Sequence, residues 1–394
     1  MSQENGGRIA LFDNVKGAAI VLVVVGHFVE RSVQYRSGSH LARTILAFIY
    51  LFHMPVFIFC SGLFAGKSWR KTRRAPTDKF LLYLLLYLIF QAAVELVYKA
   101  VGAAGDVNLF SVSGAPWFLL ALAMMMLFVP LLGSLPAAPV LAASVLTAVG
   151  AGILLTSNSI LSLLRFFTYF PYFAAGFYFT PERVQHCVEA VRQRLKPVST
   201  MVAATLTLLA LALALYVGCS DGVLTNIKRL SSGLNLFSAV ADSTGLAIWQ
   251  VAVLRALEYP VVLGVIALLF LAVPTRRCPL SALGERSLQV YLAHILILYA
   301  SDELGLIELA VSSNPCWLLC VVIFSILLAA LLAAPRFPQR WINKLGAWLK
   351  KIVSQGEERG LGAEEAEAQS ATATQGTAAC RAHAAPAADS WKKG

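Results

Sequence analysis

The 394-residue chain is 58% hydrophobic and 13% charged, and its mean hydropathy is +0.71. A soluble domain is about 45–50% apolar and about 25% charged, so a water-soluble globule is excluded. The net charge of +11 does not indicate a nucleic-acid partner, because the Lys and Arg lie in short loops beside apolar runs, where they report membrane topology.

Apolar windows of about 20 residues predict an all-α polytopic bundle of about ten transmembrane helices, at 15–33, 44–65, 80–101, 116–132, 138–155, 160–179, 198–217, 252–273, 285–300 and 316–334. Residues 1–351 form the expected membrane domain. Residues 352–394 are rich in Ala, Glu, Gln, Thr and Ser without apolar periodicity, and are expected to be a disordered cytoplasmic tail. The first span lacks the short apolar core and cleavage site of a secretory signal and reads as an uncleaved helix. About three quarters of the Lys and Arg fall on one side of this arrangement, which puts both termini in the cytoplasm and the protein in the inner or plasma membrane. Residues 218–258 carry Gly, Asn, Asp and Ser and are expected to form an external loop with a partial or re-entrant helix. The seven cysteines lack paired spacing, so neither a disulfide framework nor a metal site is implied.

Chemistry is sought in the polar residues that apolar spans should not contain. His27 lies deep in the first span, and Lys16 is eleven residues earlier, on the same helical face and about 16 Å away along the axis. Asp13 lies on nearly the same face. An imidazole suits general-base work near neutral pH, and packing against a neighbouring helix is the alternative. In the second span, FHMPVFIFCSGLF places His53 just before a Pro55 kink, where a structural role and a site role are equally open. The loop GKSWRKTRRAPTDK holds Arg70, Lys71, Arg73 and Arg74. It fits anionic lipid headgroups, and if helical its Arg70 and Arg73 could clamp one phosphate group. In the third span Gln91, Glu95 and Tyr98 form a polar stripe, with Lys99 available to pair with Glu95. Trp117 opens the fourth span and is expected at headgroup level. Arg165 sits inside the sixth and needs a carboxylate, phosphate or carbonyl partner. In the ninth, Ser287, Tyr291 and His294 share one stripe, either bonding helices together or lining a cavity.

In chain order, FDNVKGAAIVLVVVGHF, FHMPVFIFCSGLF, the basic loop, PWFL, the Arg165 span with FPYFAAGFYF, and LGERSLQVYLAH resemble the acyltransferase-3 family of integral membrane acyltransferases, most nearly its fucose O-acetylase-like branch. The resemblance runs over roughly residues 8 to 300. It implies transfer of an acetyl or other short acyl group from cytoplasmic acyl-CoA to a hydroxyl of a cell-surface carbohydrate or glycolipid. His27 is similar to the family's essential histidine, Lys16 stands where a basic partner, commonly Arg, is found, and Arg70 with Arg73 resembles its Arg-x-x-Arg element. Lys at 16 keeps the charge but loses the planar fork. Acetyl-CoA is thus the expected co-substrate, with membrane lipid as surroundings and neither metal nor nucleic acid. The rival reading is a transporter or flippase for a polar glycolipid or sugar, distinguished by activity without acyl-CoA. A membrane sensor with a signalling partner at its tail ranks last.

Overall fold

The computed structural model describes residues 9–36, 39–102, 116–155, 161–312 and 314–356. The chain divides into two compact units, Met1–Ile342 and Asn343–Gly394. The first contains α1 (Ala10–Tyr35), α2 (His40–Thr72), α3 (Thr77–Ala100), α4 (Trp117–Leu127), α5 (Val129–Ser134), α6 (Ala137–Leu154), α7 (Leu163–Tyr178) and α8 (Pro181–Leu195). It continues with α9 (Pro197–Gly218), α10 (Asp221–Ser231), α11 (Phe237–Thr244), α12 (Ile248–Ala272), α13 (Pro279–Glu285), α14 (Ser287–Glu303), α15 (Leu306–Ser312) and α16 (Trp317–Ala333). The described residues contain no strand. In the second unit residues 343–356 are helical, and the rest of the tail expected to be disordered, from 357 on, lies outside the described residues.

The protein is all-α and multi-pass. Each of the ten predicted windows contains a helix. Six described helices are long and apolar enough to cross a membrane, or seven if a bent pair counts as one span. The others that fall in predicted windows are shorter, from α5 with 6 residues and α4 with 11 to α7 with 16 and α14 and α16 with 17 each. Between α9 and α12 the expected loop is two short helices, α10 and α11, and α12 begins at Ile248, earlier than its apolar window.

Burial ranks the helices. α1 and α2 are mostly enclosed by protein, whereas α6 and α9 turn leucines such as Leu146 and Leu213 outward, as lipid-facing helices do. The two central helices are also the ones that carry the first two intramembrane histidines. They are seated by glycines that let backbones touch. A Cβ on Gly62 would stand 2.1 Å from the Phe173 carbonyl, and one on Gly176 the same distance from the Phe59 carbonyl, so α2 and α7 lie in direct backbone contact. α1 meets α13 in the same way, with Gly17 against Leu280 and Gly284 against Asp13.

Asn14, fully buried, fastens this second contact. Its amide donates to the carbonyls of Pro274 at 2.7 Å and Arg276 at 2.9 Å, while its oxygen accepts from Ser281 Oγ at 2.5 Å. Elsewhere, α10 is tied to the start of α2 where Asp221 accepts from His40 and Arg43. The His40 hydrogen bond, then the Arg43 charge, hold the Asp221 carboxyl below the usual carboxylate range.

Candidate functional site

α1 and α14, far apart in sequence, place two imidazoles in contact. His27 Nδ1 lies 2.9 Å from His294 Nε2, and the rings are nearly parallel at 11°. The proton positions follow from the next link. His294 Nδ1 is 2.9 Å from the Val290 carbonyl, which can only accept, so that nitrogen carries a hydrogen. In a neutral His294 the Nε2 is then an acceptor, and His27 must donate to it from Nδ1. The relay leaves His27 Nε2 with a bare lone pair. His294 is completely buried and His27 half-buried, so the outward member of the pair is the one with the basic nitrogen.

His53 joins from α2. Its Nδ1 donates to the Ile49 carbonyl at 2.8 Å, and its ring stands perpendicular to that of His27 with centroids 6.5 Å apart. Tyr50, one helical turn back, packs on His53 at 4.8 Å. The Tyr50 hydroxyl donates to Glu30, whose other oxygen accepts from Lys228 of α10. Tyr291 lies between His294, at 6.0 Å between centroids, and Phe118 of α4, at 5.4 Å. Arg165 of α7 sets its guanidinium over the Trp117 ring at 4.9 Å, and Trp117 in turn meets Phe118.

The structure therefore brings His27, His53, Arg165, Tyr291 and His294 into one neighbourhood. Ser287, half-buried, opens α14 one turn before Tyr291. Lys16 and Asp13 form a separate pair, with Lys16 Nζ 2.9 Å from the carboxylate and 5.9 Å over the Phe64 ring. At the far end of α2, Arg70 lies in the last helical turn and Arg73 leaves the helix in the left-handed region at φ 54°. The single helical clamp expected of these two is thus not formed. Arg70 donates to the carbonyls of Phe177 at 2.9 Å and Phe179 at 2.8 Å, which closes the end of α7. Lys71, Arg73 and Arg74 are exposed beside it.

Sequence reading missed four participants. Glu30 stands three residues after His27 on the same face of α1, so its signal was present. Tyr50 and Lys228 gave none that separates them from ordinary interface residues. Trp117 opens a helix as expected and is buried, stacked on Tyr169 at 5.1 Å with the Arg165 guanidinium also over its ring.

A family model described as an acyltransferase domain matches residues 9–334, which include every residue of this neighbourhood. Nodulation protein NolL of Sinorhizobium fredii (strain NBRC 101917 / NGR234) is 32% identical over 183 residues, 44% of this chain and 49% of the relative. Nodulation protein NolL of Mesorhizobium japonicum (strain LMG 29417 / CECT 9101 / MAFF 303099) is 32% identical over 80 residues, 20% of this chain and 21% of the relative. The chain thus matches about half or less of the length of these curated relatives. No solved structure matches it.

Proposed function

The chain belongs to the acyltransferase-3 family, and from that premise we propose that it moves an acetyl or other short acyl group from cytoplasmic acyl-CoA to a hydroxyl of a cell-surface carbohydrate or glycolipid. The observation that carries the reading is the histidine relay, which fixes one bare imidazole nitrogen, Nε2 of His27, inside a membrane bundle. A buried base with a fixed tautomer suits abstraction of a hydroxyl proton.

In this reading His27 Nε2 takes the proton of the acceptor hydroxyl as its oxygen bonds to the thioester carbon. The carbon–sulfur bond then breaks, and the proton on His27 passes to the leaving thiolate. His294 orients His27 throughout and is a positioning residue. His53 and Tyr291 shape the pocket, and Ser287 opens the helix that carries the relay. The donor's phosphates meet Lys71, Arg73 and Arg74, with the remaining N–H groups of Arg70 beside them. Lys16, held by Asp13, lies about 16 Å below His27 along α1, where it supports the donor arm and does not touch the reacting atoms.

The test is acetyl transfer from labelled acetyl-CoA in membranes carrying His27→Ala or wild type at matched protein levels. Loss of a positioned base is expected to lower the rate about 10²–10⁴-fold. Near-normal turnover in the variant would remove His27 from the chemistry.

A further inference from the structure

Arg165 stands in the first turn of α7 with two nitrogens, Nε and Nη1, closed off from solvent and without a hydrogen-bond partner among the described residues. Leaving guanidinium N–H groups unpaired at such depth is costly, and intramembrane arginines ordinarily meet a carboxylate, phosphate or carbonyl. Among the described residues, none of these bonds Nε or Nη1. Glu30 of the same neighbourhood is already bonded by Tyr50 and Lys228. What the protein does supply is a platform. The guanidinium lies over the Trp117 ring, itself stacked on Tyr169, so the side chain is held in place while Nε and Nη1 remain unpaired. Phe118, next to Trp117 in α4, packs on Tyr291, which lies against His294, so the unpaired donors belong to the same aromatic cluster as the histidine relay.

A base alone moves a proton; it does not stabilise charge on the group being attacked. We propose that Arg165 donates to the carbonyl oxygen of the acyl thioester and holds the negative charge that develops there, as the electrophilic partner of His27. The proposal rests on the acyltransferase reading of the histidine relay. When the acceptor oxygen bonds to the thioester carbon, the carbonyl π pair moves onto oxygen and meets the Arg165 N–H groups, while the hydroxyl proton goes to His27 Nε2. As the pair returns, the carbon–sulfur bond breaks and the thiolate leaves with the proton from His27. Ester and thiol are formed without any net change in protons.

The test uses the full chain in native membranes, whose own hydroxylated lipids and glycans serve as acceptor, with acetyl-CoA and fluoroacetyl-CoA as alternative donors. Arg165→Gln should lower turnover at saturating acetyl-CoA about 10²–10³-fold, as loss of an oxyanion donor does, with the donor KM nearly unchanged. The deficit should shrink with fluoroacetyl-CoA, because fluorine itself stabilises charge on the carbonyl oxygen. Arg165→Lys, which keeps the cation, should retain more turnover than Arg165→Gln and controls for folding. If both variants show the same deficit with both donors, the residue is structural and the proposal is overturned. Near-normal Arg165→Gln turnover overturns it too. If His27→Ala is inactive in that case, only the Arg165 role is lost, whereas an active His27→Ala removes the reading beneath it.

Discussion

At the scale of single residues, the arrangement separates a reacting nitrogen from the atoms that aim it. Both ring nitrogens of His294 are bonded within the protein, to His27 and to Val290, and the residue is wholly buried. Its removal leaves His27 present but free to rotate and to change tautomer. His294→Ala is therefore expected to lower turnover by about 10–100-fold, the usual cost of losing an orienting neighbour. Because both act as one unit, the double variant with His27→Ala should be no slower than His27→Ala alone, and a further drop would assign His294 a separate role. The two histidines were each legible as costly polar groups in apolar spans. That they face one another across 267 positions was not, since periodicity reports which face of a helix is polar and never which helix it meets.

At the scale of elements, the packing of α2 on α7 determines where Arg165 stands relative to the central histidines. Gly62 and Gly176 leave no room for a methyl group, and the obstructing atoms are backbone carbonyls that cannot swing away. Gly176→Ala is expected to destabilise the protein by about 1–3 kcal/mol or more through overpacking, read as a lower melting temperature in detergent. Gly150→Ala on α6, where an added Cβ meets nothing within 4 Å, should leave the melting temperature unchanged and serves as the control. Equal melting of the two variants would mean that α2 and α7 can part without cost. Both FHMPVFIFCSGLF and FPYFAAGFYF stand out in the sequence through the family resemblance, but nothing in it marks Gly62 and Gly176 as a pair of facing contacts. The basic loop shows the converse limit. Arg70 and Arg73 read as a pair from their spacing, yet the helix ends between them, and the open carbonyls of α7 take up Arg70.

At the scale of the whole molecule, the sidedness expected from charge can be tested. Cys187 in α8 and Cys316 before α16 are both exposed and fall on opposite sides in the ten-span arrangement. In single-cysteine variants, a membrane-impermeant maleimide should label Cys316 in intact cells and Cys187 only after permeabilisation. The reverse pattern would invert the topology and with it the side from which the donor arrives. Lys67 of α2 pairs with Glu182 of α8 at 2.7 Å, so the label on Cys187 also reports the side of the basic loop. The helical class and the membrane setting were legible from hydropathy alone, because lipid demands long apolar helices. The number of spans was less so, since α4 has only 11 residues and α7 and α14 are short and partly polar where they form the site.

The hydrogen-bonded series behind His27 ends on the Val290 peptide oxygen, a neutral group. A carboxylate in that place would stabilise the imidazolium and strengthen the base, but it would also put a standing anion into the bundle between turnovers. A peptide oxygen supplies direction without charge. The proton on His27 is then a short-term loan, taken from one substrate and surrendered to the other, with no carboxylate bonded within the relay to retain it. In that arrangement the chemistry needs no proton wire to either face of the membrane, and its rate would be independent of the transmembrane proton gradient.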